Sequence, residues 1–302
     1  MFRQLWLEIK NQFTNSNSMI VKIILVNVAV FIVVNVLLQL IFFLAVRDDL
    51  FAQTIHQLAL PASLDNLLDK PWTLISYMFV HADFFHILFN MLWLFWLGNI
   101  LQEYIGAKKI LPVYLLGALA GAWMYILAYN IFPAFKNELP FASCIGASAG
   151  VTAIVVATAT LLPNYSIFLM FIGAVRLKWL AFVFVLLDLL QIPQGNAGGH
   201  IAHLGGAAFG FFYVKELQRG NDLGKPISML FDWIAKKFTR RKKLKIKYTY
   251  TKSSAPNAEK QNRAAVDKQK RIDEILDKIS KSGYEKLSAE EKEFLFHLKD
   301  EN

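Results

Sequence analysis

The chain has 302 residues, of which 55% are hydrophobic and 18% charged, and uncharged apolar runs recur too often for a water-soluble fold of this size. Its net charge of +9 does not indicate nucleic-acid binding, because residues 215 to 302 hold 22 of the 32 Lys and Arg against 14 acids, while residues 1 to 214 hold 10 basic and 9 acidic residues. A nearly neutral lipid-embedded body with a basic tail drawn to an anionic cytoplasmic leaflet accounts for both figures. One cysteine, Cys144, excludes an internal disulfide framework.

Residues 1–19 carry Arg3, Glu8 and Lys10 ahead of a long apolar run with no small-residue cleavage site, which predicts a cytoplasmic segment followed by a retained helix. From Ile23 to Val46 there are 24 uncharged residues, enough at ~1.5 Å per residue to span a hydrocarbon core of ~30 Å. Phe84–Gln102 and Ile110–Phe135 give a second and a third span. Leu139–Val175 is 37 residues without a charge, too long for one crossing, and Pro163-Asn164 marks a break that ends a fourth helix at about 146–162. A fifth, at about 177–192, is short and interrupted by Asp188, and a sixth runs from about Gly199 to Leu217.

Basic residues flanking membrane spans favour the cytoplasmic side. With the N-terminus inside, the inner segments before the tail hold seven (Arg3, Lys10, Lys22, Lys108, Lys109, Arg176, Lys178) and the outer loops three (Arg47, Lys70, Lys136). This split predicts both termini on the cytoplasmic side, and the expected location is the bacterial inner (plasma) membrane, as an integral membrane protein.

Polar side chains inside such spans are candidates for function. His86 and Asn90, four apart on one face of the second helix, lie roughly 6 and 12 Å below its outer start. Ser148, two residues into the fourth helix, and His203, four residues into the sixth, fall in the same outer third. Taken singly, an intramembrane serine bonds its own helix carbonyls, and a stripe such as Gly117 and Gly121 packs helices. Together the residues suit acyl transfer: Ser148 as nucleophile, His203 as its base, and Asn90, His86 and the Ser148 N–H as oxyanion donors. Gly146 and Gly150 flank the serine, leaving room for a substrate backbone. Gly199, Gly206 and Gly210 form a smooth face around His203 that lets the fourth and sixth helices approach.

His81-Ala-Asp-Phe-Phe-His86-Ile-Leu-Phe-Asn90, Glu103-Tyr-Ile-Gly106, Gly146-Ala-Ser148-Ala-Gly150 and Ala202-His203-Leu-Gly-Gly206-Ala-Ala-Phe-Gly210 occur in order on the expected helices. In this the chain resembles the rhomboid intramembrane serine proteases over about residues 20 to 218. The resemblance implies an all-α polytopic membrane fold with a six-transmembrane-helix core and a Ser148–His203 dyad in a water-filled cavity open to the outside. Transmembrane proteins would be the substrates, cut near the outer ends of their helices, with no metal and no cofactor. His86 and Asn90 would be oxyanion partners, and Glu103 a structural residue at the inner end of the second helix. Family members commonly have glycine where this chain has Ala149, an aromatic packing on the histidine where it has Thr152, and Trp-Arg where it has Trp72-Thr73. Asp188 lies at a depth from which it could orient His203. The resemblance implies a dyad without an acid, so a structural role is expected for it.

Other classes fit less well. A metalloprotein using His81, His86, His200 and His203 would leave Ser148 and Asn90 without a role and lacks a His-Glu-x-x-His pattern. A rhomboid-like protein that binds clients without cutting them has no chemical need for Ser148, His203 and Asn90 together. A transporter would more often show mid-bilayer charges or internal repeats.

After the six-helix domain (20–218), residues 219–257 read as a basic cytoplasmic linker: Lys236–Lys252 has nine basic residues and no acid, and Ser253–Asn257 is a flexible break. Residues 258–302 form a small helical module. Ile272, Ile275, Leu276 and Ile279 lie at helical spacing, Ser282-Gly283 is a stop, and Ser288–Glu291 is a capping box for a helix bearing Phe294, Leu295 and Leu298. So small a core suits docking on a protein partner, a second copy or the membrane, or else a helical appendage with no catalytic part.

Overall fold

The computed structural model describes residues 18–44, 48–169, 173–238 and 256–300, in two compact units within Met1–Arg240 and Arg241–Asn302. The expectations for residues 1–17, for Val46 and for most of the basic run Lys236–Lys252 lie outside the described residues.

In the first unit α1 (Met19–Phe31) continues through a π-helical segment, Ile32–Leu38, into α2 (Gln39–Leu44). It starts four residues before the uncharged run, because its first amides find acceptors: Gln102 Oε1 takes the Met19 N–H at 2.7 Å and the Ser18 hydroxyl takes that of Val21 at 3.3 Å. Three short helices, α3 (Asp48–Leu58), α4 (Leu64–Asp69) and α5 (Thr73–Ser76), follow where sequence patterning gave only loop. The Asp83 side chain caps α6 (Phe84–Ile105) by accepting the His86 N–H at 2.9 Å, and Gly106, at φ 83°, turns the chain into α7 (Ala107–Ile131). Glu103 is exposed at this end, and the structural joint to α1 is made by its neighbour Gln102. Then come α8 (Ser148–Leu161), α9 (Leu177–Gln191), α10 (Ala197–Gln218) and α11 (Lys225–Phe238).

Among the described residues, four stretches are long and apolar enough to cross a membrane: Met19–Ile41, Phe84–Ile105, Ala107–Ile131 and Leu177–Gln194. The 14 residues of α8 are apolar but reach only ~21 Å, short of a ~30 Å core. They are nonetheless the centre of the fold. Ala149 to Ala159 are all buried, enclosed by α6, α7, α9 and α10. A Cβ on Gly206 would fall on the Ala149 carbonyl oxygen and one on Gly210 on that of Ala153, so α8 and α10 touch backbone to backbone. On the other side a Cβ on Gly121 of α7 would lie 2.6 Å from the Ala149 methyl. Gly150 packs on Tyr114 of α7 rather than leaving room for substrate, and Gly199 faces Asn196 rather than α8.

Several buried polar side chains in this core bond to backbone. Tyr77 OH donates to Ala118 O at 2.6 Å, Tyr114 OH to Met78 O at 3.0 Å, and Thr158 Oγ1 to Ile154 O at 2.6 Å. The segment entering α8 is pinned to the earlier loop. Antiparallel β1 (Leu60–Pro61) and β2 (Ser143–Cys144) set Leu60 opposite Cys144, and the Gly146 N–H donates to Tyr77 O at 2.8 Å. Between α8 and α9, the charge-free stretch after Pro163 forms an antiparallel hairpin of β3 (Ser166–Leu169) and β4 (Gly173–Arg176).

Part of the stretch read as linker, 219–257, is helical. In α11 the apolar Ile227, Leu230, Phe231 and Ile234 recur at helical spacing, a signal masked by the charge run beside it. The helix is held to the start of α7 by Lys108 Nζ on Asp232 at 3.2 Å and by Ser228 Oγ donating to Lys108 O at 3.3 Å.

The second unit pairs α12 (Pro256–Ser282) with α13 (Ala289–Asp300). Its first helix already includes Pro256 and Asn257 of the expected break. Gly283, at φ 82°, ends α12, and the capping box forms: Glu291 N–H donates to Ser288 Oγ at 3.2 Å and Ser288 N–H to Glu291 Oε2 at 2.8 Å. Ile275 and Leu287 are buried, Phe294 lies under the Arg271 guanidinium, and Leu276 points outward. The Leu295 and Leu298 side chains lie outside the described residues.

Replacing Gly206 with Ala forces a methyl into the Ala149 carbonyl and is expected to cost about 1–3 kcal/mol. Thermal unfolding in detergent measures it against Leu68→Ala, at a residue 79% exposed, where a change within about 0.5 kcal/mol is expected.

Candidate active site

Helix α8 begins at the serine itself, not two residues before it. Gly146 precedes it at φ 127°, a backbone conformation open to glycine, and Ala147 supplies no side-chain cap. The first intrahelical bond runs from Val151 N–H to Ala147 O at 3.0 Å. The N–H groups of Ser148, Ala149 and Gly150 therefore precede the helical ladder, and the positive end of the helix dipole lies at the serine. This end opens on a cavity of about 280 Å³, lined by Ser148, Thr152 and Val155 of α8, Asn90 and Trp93 of α6, Phe184, Leu187 and Asp188 of α9, and His203 of α10. Three of the residues singled out from sequence, Ser148, His203 and Asn90, thus share one wall-to-wall space. No hydrogen bond joins Ser148 to His203 among the described residues.

Asp188 is where the structure departs from expectation. Its Oδ1 accepts from His203 Nδ1 at 2.8 Å and from His200 Nδ1 at 2.9 Å. The three side chains are only 10–22% exposed. A carboxylate only accepts, so each imidazole carries its proton on Nδ1, and in the neutral ring Nε2 is left bare as a base. The structural bond expected for Asp188 therefore falls on the candidate base itself. The signal was one acid in a span whose only other charge is Lys178 at its start, four residues before the expected end of the helix and one helix away from two histidines spaced three apart.

His86 does not line the cavity but borders it from the other side of Gly146. A Cβ on that glycine would lie 2.8 Å from His86 Nε2 and 3.5 Å from Ser148 Oγ. His86 Nδ1 accepts the Ala82 N–H at 3.3 Å, which assigns its ring proton to Nε2, the atom directed at the glycine. Buried His81 meets the His86 ring edge to face at 5.1 Å, and burial pushes His81 down to about 4, so it stays neutral. Asn90 donates one amide hydrogen to His86 O at 2.8 Å, leaving the second for the cavity.

The departures from the family pattern also find places. The Ala149 methyl lies against Gly121 of α7 and not in the cavity, so it does not narrow the site. Thr152 does line the cavity; the aromatic surface there comes instead from Trp93 and Phe184, edge to face at 4.7 Å. Cys144 is buried and its thiol is pushed up to about 12, so it is no competing nucleophile. His81, His86, His200 and His203 do not form one ligand set. Among the described residues only Asp188, His200 and His203 bring ligand atoms within 4.8 Å of one another, and hydrogen bonds already account for that grouping.

The chain is 32% identical over 168 residues to RHOMBOID-like protein 12, mitochondrial, of Arabidopsis thaliana, covering 52% of this chain and 50% of that one. It is 31% identical over 159 residues to Rhomboid-related protein 1 of Caenorhabditis elegans (49% and 40%), and 35% over 66 residues to Rhomboid protease GlpG of Pectobacterium atrosepticum (22% and 23%). The chain thus spans half or less of the length of these curated relatives. Residues 257–298 match a family of unknown function (DUF6576). Residues 68–219, which carry Asn90, Ser148, Asp188 and His203, match the Rhomboid domain, and the chain belongs to the rhomboid family.

Proposed function

We propose that this membrane protein is an intramembrane serine endopeptidase that hydrolyses peptide bonds in or near the transmembrane segments of other proteins. The observation that carries the reading is one cavity at the uncapped start of a buried helix, holding Ser148 and a histidine whose Nδ1 is tied to a carboxylate. His203 Nε2 takes the Ser148 proton as Oγ attacks the scissile carbonyl, and then delivers it to the leaving amine. The oxygen–nitrogen contact closes in the substrate complex, as catalytic hydrogen bonds commonly do. The oxyanion is met by the Ser148 N–H, by His86 Nε2–H and by the free amide hydrogen of Asn90. Water for deacylation comes through the cavity. A substrate segment reaches the serine between α6 and α9, whose Trp93 and Phe184 form the cavity's apolar wall, and it unwinds there, because a helical peptide hides its carbonyls.

The proposed topology is six crossings, with the short α8 and the 22-residue α10 added to the four long apolar spans and both termini on the cytoplasmic side of a bacterial inner membrane. The domain limits proposed are 20–218 for the membrane domain and 258–302 for the helical module, with a protein partner for the latter.

Purified protein incubated in detergent with a generic transmembrane substrate tests the reading. Ser148→Ala and His203→Ala are each expected to lower kcat by roughly 10⁴-fold or more; undiminished cleavage in either variant defeats the mechanism. Wild-type protein that holds the substrate uncut would favour a client-binding role instead. Asn90→Ala, which removes one oxyanion donor, is expected to lower kcat by about 10²–10³-fold with little change in KM.

A further inference from the structure

We propose that Asp188 and His200 form a positioning pair that holds His203 in its working tautomer, so that this site runs on an acid–histidine–serine relay with a second histidine behind the acid. The inference rests on the reading of Ser148 and His203 as nucleophile and base. Both imidazoles donate to the same oxygen, Asp188 Oδ1, at 2.8 and 2.9 Å. The geometry follows from two helices: His200 and His203 are three apart on α10 and so face one side, and Asp188 comes from α9, which packs on that side.

Each member has a physical task. The carboxylate locks the proton on His203 Nδ1, leaves Nε2 bare for the Ser148 proton, and stabilises the imidazolium that forms when the proton arrives. His200 supplies a second donor to the same oxygen, which keeps a scarcely exposed carboxylate ionised and fixes its rotamer. Thr152, at the position one turn along α8 from the serine, has no ring on which an imidazole can stack, so hydrogen bonding to Asp188 is the restraint this site has on His203. The proton moves from Ser148 Oγ to His203 Nε2 and on to the leaving amine, and Asp188 stays a carboxylate throughout. The other titratable groups around His203 are His200 on its own helix and His86 on α6; Tyr125 and Tyr129 of α7 lie against Gly198, at the start of α10.

The test compares Asp188→Asn and His200→Ala with wild type, with Ser148→Ala and His203→Ala as references, in the detergent cleavage assay and in labelling of Ser148 by a fluorophosphonate. Asp188→Asn is expected to lower kcat roughly 10²–10⁴-fold with KM within about twofold. The acid limb of its pH–rate profile should move to lower pH, since the carboxylate that favours the protonated imidazole is gone. His200→Ala should show a smaller loss, roughly tenfold. Wild-type kcat and pH profile in Asp188→Asn, with the two references inactive, would overturn the relay and leave the serine protease reading standing. Because Asp188→Asn can fail to fold, ¹⁵N-histidine NMR of the wild-type protein provides a second measurement. Protons on Nδ1 of both His200 and His203 are expected, and a proton on Nε2 of neutral His203 overturns the proposal. Stoichiometric zinc on the purified protein, lost in His200→Ala, would also overturn it by making the three residues a ligand set.

Discussion

The structure depends on a helix that starts too late. Fourteen residues of α8 cover ~21 Å, and its first turn sits inside the fold with no capping side chain. Backbone amides in an apolar setting need partners, and an uncapped amino end that is buried beneath neighbouring helices is stable only beside water or an acceptor. The cavity at Ser148 meets that need. The serine, the orphan amides and the dipole's positive end come together because one helix begins there, so on the proposed function the elements of acyl transfer are a by-product of where α8 is allowed to start.

That start is held by contacts too close for side chains. Gly206 and Gly210 of α10 lie on the carbonyls of Ala149 and Ala153, and Gly121 of α7 accepts the Ala149 methyl. The alanine next to the serine, where relatives commonly have glycine, is thus accommodated by a glycine on the adjoining helix α7. Such backbone contacts fix the rotation of α10 about its axis, and with it the direction in which His200 and His203 point. Toward α9 that direction meets a single carboxylate, and the restraint on the histidine becomes electrostatic and directional instead of a stacking contact.

Much of this was legible in the sequence. Apolar runs predicted the long helices within a few residues, and the small-residue face of α10 predicted its close approach. Errors gathered where a side chain's partner comes from another element. Gly150 read as an opening and is a packing contact on Tyr114; Gly199 read as part of the smooth face and meets Asn196. Glu103 read as a structural residue at the inner end of the second helix and is exposed there, while its neighbour Gln102 holds the start of α1. For Asp188 the depth was readable, but which of two histidines it would meet depended on the rotation of α10, which no periodicity encodes. It meets both.

The strap of backbone bonds between the loop before α6 and the loop before α8 has a consequence for scale. Cys144 pairs with Leu60 and Gly146 donates to Tyr77, so the segment leading into Ser148 is tied to the loops before α4 and α6 as well as to the helices packed on α8. If the bilayer thickens or thins, the long helices can tilt to follow it, while the distance from the loop to the serine stays constant. On the proposed function, the enzyme measures its cut from its own rim, as a depth gauge does, and not from the middle of the membrane.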